Sequence, residues 1–235
     1  MFFDNSKVKK LYILKQILSC MNVKKILNEF VARRKGSFAD ERFSSFDYCN
    51  NYFRSFSDSG NQKDLYHPDN LEESCLQLGF YLASWGMFRG SSFLLRRSAR
   101  NFSELMQVIG DSDPKLWEID VPDYDPENIK LLLDTKQKII GALDSNNKPS
   151  DTLVTKIMLG VYGNIPAFDQ YFRKSLGVFT VNKNSLRKVQ ELYQTHKADF
   201  DSFRIPTIDF LTARPTENIY SKAKLIDICG FIDGQ

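Results

Sequence analysis

Apolar residues recur along this chain at steps of three and four, the spacing of one helix face. In the first segment Val8, Leu11, Tyr12, Leu14, Ile17, Leu18 and Met21 follow this rhythm with lysines on the other side, and Val23, Ile26, Leu27, Phe30 and Val31 continue it. The pattern predicts an amphipathic basic helix bent near Asn22 and broken at Gly36. Asp40 is placed to cap a second helix carrying Phe43, Phe46, Tyr48, Tyr52, Phe53 and Phe56. Its polar members Ser44, Ser45, Asn50 and Asn51 are unusual for a plain surface helix. Residues 57–64 read as a polar loop. Asp69 with Glu72 three positions later forms a capping-box pattern for a helix ending at Trp85, apolar nearly all round and therefore expected at the centre.

Two glycines end that helix at residues 86–92, and the chain then becomes acidic, with Pro114, Pro122 and Pro126. This stretch is expected to run over the surface, joining lobes 1–110 and 126–235 of a single compact body. A long helix follows through Ile129, Leu132, Leu133, Ile139, Ile140 and Leu143, stopped by the turn cluster 145–149. Ser150 or Asp151 caps the next, which buries Leu153, Val154, Ile157, Met158, Val161 and Tyr162. Two helices joined by so tight a turn make a helix-hairpin-helix element. Pro166 suits the first turn of a short helix over 167–176, and further helices are expected near 185–200 and 220–231. Only 178–181 and 205–215 resist a helical assignment. The fold class expected is all-α, with many helices.

Composition agrees: of 235 residues, 42% are hydrophobic and 26% charged, which fits a globular chain and excludes disorder, collagen or coiled coil. The net charge is only +3, but it is unevenly spread. Residues 1–35 carry nine basic residues against Asp4 and Glu29. Residues 74–103 carry Arg89, Arg96, Arg97 and Arg100 with no acid, and seven carboxylates gather between Asp111 and Glu127. Such basic surfaces attract a polyanion, although solvated helix faces account for them equally. Cys20, Cys49, Cys75 and Cys229 are far apart and are expected as buried, reduced thiols. With only His67, in a loop, and His196, facing out of a charged helix, no metal site is expected. No signal-peptide core and no run long enough to span a bilayer are present, so a cytoplasmic protein without membrane contact is expected.

The most informative stretch is 152–173, TLVTKIMLGVYGNIPAFDQYFR. Asp169 falls in the first turn of a helix, where unpaired N–H groups and the macrodipole favour an ionised carboxylate. Tyr162, Phe168, Tyr171 and Phe172 are rings able to wall a pocket beside it, and the competing reading is that Asp169 only stabilises its helix end. The order helix, tight turn, helix, Pro-led loop and aspartate, over about residues 126–175, resembles the helix-hairpin-helix DNA glycosylase superfamily. The resemblance implies that Asn146, Asn147, Lys148 and Pro149 occupy a phosphate-binding hairpin and that Asp169 is the catalytic aspartate. Here the hairpin lacks the family's glycines, although Asn tolerates a left-handed backbone. Lys148 stands near the place of the lysine that strand-nicking members use as a Schiff-base nucleophile, while Lys156 lies one or two turns further on. A monofunctional enzyme without a cofactor is expected, acting as a monomer on double-stranded DNA with a modified base. A closer relation to bacterial antiphage glycosylases that excise glucosylated hydroxymethylcytosine is an expectation without a motif of its own.

Base excision needs aromatic walls for a flipped base and polar groups to read it. Trp85, Phe88, Tyr52, Tyr162 and Phe168 are the candidate rings, Arg89 is a candidate substrate contact, and Asn50, Asn51 and Gln77 are candidate readers. Glycines and hydroxyls at 86–92 can hold an anion, so Ser91 and Ser92, with Arg96, Arg97 and Arg100, are expected to follow the DNA backbone. No GxSxG, GxGxxG or Walker pattern is present, which leaves Ser-His-Asp hydrolysis and nucleotide hydrolysis unsupported. The alternative is a helical nucleic-acid-binding or protein-interaction module without catalysis. The two readings differ over whether Asp169 lies on the floor of an aromatic cavity or on an outer helix end.

Overall fold

The computed structural model describes residues 21–34, 37–143 and 149–235. It is 69% helix and 4% strand, so the class is all-α. The helices are α1 (Val23–Arg33), α2 (Ser44–Asp58), α3 (Pro68–Ser84), α4 (Ser103–Gly110), α5 (Pro126–Leu143), α6 (Asp151–Tyr162), α7 (Gln170–Leu176), α8 (Lys183–Thr195), α9 (Lys197–Ser202) and α10 (Lys222–Asp233). One antiparallel hairpin, β1 (Pro206–Ile208) with β2 (Pro215–Ile219), completes the fold.

Two helices form the interior. In α6 every residue from Leu153 to Tyr162 is buried, against α2, α3 and α5. Gly160 allows this approach, because a Cβ there would lie 2.5 Å from the Tyr81 ring of α3. In α10, Ala223 to Gly230 are buried against α7 and α1. The helix expected at the centre, α3, instead leaves Leu76 and Phe80 exposed at 51% and 69%, because its apolar residues exceed what its inner face can bury. One contiguous core runs from Met21 in the first half to Cys229 in the second.

Several boundaries differ from the sequence pattern. The N-cap of α3 is His67, followed by Pro68 at the first helical position, and Asp69 lies inside the first turn. Asp40 ends a short 3₁₀ turn, and α2 begins at Ser44 without a side-chain cap. Pro166 precedes α7 rather than opening it, and Asp169 is the N-cap itself. The 185–200 helix breaks at His196, whose imidazole is largely covered and lies 3.8 Å from Asp199 rather than facing out. The acidic stretch is an anchored segment: Leu116, Trp117, Ile119, Val121 and Tyr124 are buried, and Asp120 accepts the backbone N–H groups of Lys222 and Ala223 at the start of α10. Its other carboxylates face solvent, while its five interleaved apolar residues hold it to the core.

The unusual polar residues of α2 are clamps. Asn50 donates to the carbonyls of Gly160 and Val161 at the end of α6. Asn51 donates to Ile208 O and accepts from Thr207 and Asn218, fixing the hairpin. Cys49, Cys75 and Cys229 are free and buried. No helix among the described residues is long and apolar enough to cross a membrane.

Candidate functional site

The loop 163–168 delivers Asp169, and several hydrogen bonds tie it down. Ser150 caps α6 by accepting from Leu153 N–H, and α6 ends at Gly163, whose φ of 69° is accessible to glycine at little cost. Ser221 then donates to Gly163 O and Tyr124 to Asn164 O, while the Asn164 amide donates to Leu116 O. Ala167 N–H donates to Asp227 Oδ1 at 3.0 Å. Thr155 Oγ1 accepts from Phe168 N–H and Thr152 Oγ1 donates to Phe168 O, both at 2.8 Å. Asp169 therefore emerges from a backbone with little freedom to move.

One oxygen of Asp169 caps its helix and the other faces Lys156. Oδ1 accepts the N–H groups of Tyr171 and Phe172, each at 3.0 Å, and so caps α7. Oδ2 lies 3.5 Å from Lys156 Nζ. The Lys156 side chain is 5% exposed and that of Asp169 14%, so the pair is almost withdrawn from water. Burial lowers the proton affinity of the Lys156 amine below the usual lysine value, and a further depression comes from Lys224; Asp169 and Asp227 act the other way.

Trp85, the C-cap of α3, organises these charges. Its ring carries Lys156 Nζ at 5.0 Å, Arg42 Cζ at 5.2 Å and Lys224 Nζ at 5.6 Å, within the range of cation–π attraction. Phe43 and Phe231 meet it edge to face at 5.5 and 5.7 Å. Its indole Nε1–H is buried and has no hydrogen-bond partner. Above the ring opens a cleft of about 790 Å³, with room for a nucleoside, lined by Arg42, Trp85, Phe88, Arg89, Ser91, Thr152, Lys156, Asp169, Tyr171, Arg173 and Phe231 among others. Four cationic side chains thus line the cleft with one carboxylate, an arrangement suited to an anionic substrate that develops positive charge at its reacting centre.

The expected site residues separate into three groups. Trp85, Phe88, Arg89, Ser91 and Asp169 meet in the cleft. Ser92, Arg96 and Arg97 line an adjoining surface groove, and Arg100 lies on the next 3₁₀ turn, lining neither. Three expected rings are elsewhere. Tyr162 is buried with its ring centroid 4.6 Å from that of Trp117, because it is on the inner side of a helix buried all round. Phe168 is buried against Phe172, since its backbone is pinned to α6 and its ring turns inward. Tyr52 packs on Phe53 and Phe56 with its hydroxyl on Ser74. Asn50 and Asn51 are occupied as clamps, and Gln77 lines a separate apolar groove. Asn146, Asn147 and Lys148 lie outside the described residues, as does Cys20.

Sequence reasoning missed Arg42, Thr152 and Phe231 as cleft residues, and Lys224 and Asp227 behind them. For α6 a signal existed: Thr152, Thr155 and Lys156 are the polar positions within a segment otherwise apolar to Tyr162, and such residues are retained only when satisfied. For Arg42 and Phe231, nearly 190 positions apart, none existed. Among the described residues no group of three or more His, Cys, Asp or Glu side chains could hold a metal ion. No protein-family model, curated protein or solved structure matches this chain.

Proposed function

We propose that the chain is a DNA glycosylase that flips a modified base into the cleft beside Trp85 and hydrolyses its N-glycosidic bond. The observation that carries this reading is the Asp169 carboxylate, fixed by two backbone N–H groups, paired through Oδ2 with Lys156, and lining a cationic, aromatic-walled cleft. As the bond to the base lengthens, positive charge grows on the sugar. A fixed carboxylate in a site poor in water stabilises that charge and orients the attacking water. Arg42, Arg89 and Arg173 are placed to hold the flanking phosphates, and Arg96, Arg97 and Arg100 extend the basic surface along the backbone. Phe88 and Tyr171 offer faces for the extruded base. A non-catalytic module needs Asp169 only as a cap, with Lys156 as its buried counter-ion.

That lysine supports a second reading of the same chemistry. Lys156 stands beside Asp169 with a lowered proton affinity, the condition for an amine nucleophile. Its attack on C1′ would expel the base with the bonding electron pair, and loss of the amine proton with sugar opening would leave an imine. Removal of a C2′ proton would then release the 3′ phosphate.

The test is incubation of the protein with end-labelled duplexes carrying uracil, oxidised, alkylated, hydroxymethylated or glucosylated bases, with and without alkali and with borohydride. Strand breakage only after alkali, abolished in Asp169→Asn, is the expected result. Breakage without alkali, with a borohydride adduct lost in Lys156→Met, assigns the imine route. No abasic product on any duplex overturns the glycosylase reading.

A further inference from the structure

Behind the cleft lies a second buried ion pair that the proposed chemistry does not use. Lys224 and Asp227, one turn apart on α10, have side chains 5% and 12% exposed and meet at 3.0 Å. Both carboxylate oxygens of Asp227 are committed. Oδ1 accepts from Ala167 N–H, two residues before Asp169, and Oδ2 accepts from Lys224 Nζ. Lys224 Nζ also lies 4.3 Å from the centre of the Phe46 ring and shares the Trp85 ring with Lys156.

We propose that Lys224 and Asp227 are positioning residues for the Lys156–Asp169 pair: Asp227 anchors the loop that delivers Asp169, and Lys224 occupies the second oxygen of Asp227, reserving Lys156 for Asp169. The proposal rests on the Lys156–Asp169 pair being the working site. The interior here is an alternation of charges, and the order matters. Were Lys224 absent, Asp227 Oδ2 would be a buried carboxylate oxygen without its partner, and Lys156 is a neighbouring cation on which Asp227 acts electrostatically. Lys156 would then divide its charge between two carboxylates and no longer be held at Asp169.

The charges that act on the Lys156 amine come from the start of α7 and from α10. Asp169 belongs to the N-terminus of α7, and Lys224 and Asp227 to α10. The Tyr81 hydroxyl of α3 feels Asp227 and Asp169, and Asp47 of α2 feels Lys224. Arg42 lies over the same indole. Of these, Lys224 lowers the proton affinity of Lys156 and Asp227 raises it, so removing each shifts Lys156 in opposite directions.

The test is a ¹³C NMR titration of the lysine Cε resonances of the full chain, with the Lys156 signal assigned by its loss in Lys156→Met. In Lys224→Met the Lys156 midpoint is expected to rise by about one pH unit, because a like charge is gone and Asp227 is unmasked. In Asp227→Asn it is expected to fall by about as much, while the amide oxygen still accepts from Ala167 N–H. Each variant carries its own sign, so either one suffices if the other does not fold. Anchoring is read separately, by hydrogen exchange of Ala167 N–H. Asp227→Ala speeds it at least about tenfold and Asp227→Asn does not, with the amides of α4 unchanged as reference. A Lys156 midpoint unmoved in folded variants, shifts of the same sign, or equal Ala167 exchange in Asp227→Ala overturns the proposal. The titration needs no substrate: opposite shifts without excision of any base sink the glycosylase reading alone, and excision without these shifts sinks the positioning role alone.

Discussion

At the scale of the residue, Asp169 performs two tasks with two oxygens, and substitution can separate them. Asparagine is as good an N-cap as aspartate but carries no charge. Asp169→Asn therefore keeps the cap but leaves the buried Lys156 without its counter-ion, so it is expected to lose stability while base excision falls by about 10²-fold or more. Asp169→Ala loses the cap as well, a further cost of about 1 kcal/mol, so a denaturant midpoint lower in the alanine variant than in the asparagine variant identifies the split. Packing at Gly160 is as exacting. A methyl group there meets the Tyr81 ring at 2.5 Å in a helix buried all round, so Gly160→Ala is expected to destabilise by about 1–3 kcal/mol in urea unfolding.

At the scale of the element, the β-hairpin is held by charges under it. Asp47 of α2 accepts from Ile208 N–H and from the Tyr220 hydroxyl, and Arg34 at the end of α1 bridges Asp47, Tyr220 and Pro206 O. Burial pushes the Asp47 carboxyl up from 3.8 to about 6, with Arg34, Tyr220 and Lys224 pulling it down less strongly. Between those two values the folded protein binds more proton than the unfolded chain, so this group's contribution to stability is present below 3.8 and is lost as the pH rises through 6. From about pH 4 to about pH 8 the loss is about 2–3 kcal/mol. Urea unfolding of the parent beside Asp47→Asn isolates it. The stability difference between them should move against the parent as pH rises, and a constant difference would show that the carboxyl titrates normally.

At the scale of the whole molecule, a net charge of +3 conceals a basic surface that leads into the cleft from Arg96 and Arg97 through Ser91 and Arg89, while the acids of 111–127 are held on another segment. If that surface follows a DNA backbone, duplex affinity must fall steeply with salt. Arg96→Ala and Arg100→Ala are each expected to reduce the slope of log affinity against log salt by about one, with no change in which base is excised. Fluorescence anisotropy across a salt series measures this, and slopes unchanged in both variants would place the DNA elsewhere.

The sequence by itself determined what depends on local spacing. The three- and four-residue steps marked most helices, Ser150 announced the start of α6, and the position of Asp169 at a helix terminus followed from Gly163 and Pro166. A cap or a periodic face involves neighbours a few positions apart, so the chain states it directly. Only the tertiary structure decided which rings face the cleft. Phe168 and Tyr162 are as aromatic as Trp85, and their burial depends on helices far away in sequence. It also decided the partners of Asp169. Lys156, Arg42, Lys224 and Asp227 come together around it from α6, the turn before α2, and α10, across up to 185 positions, and a cluster assembled over such separations leaves no periodic trace. Local chemistry put the carboxylate at a helix start, and long-range packing withdrew it from water and supplied the amine beside it.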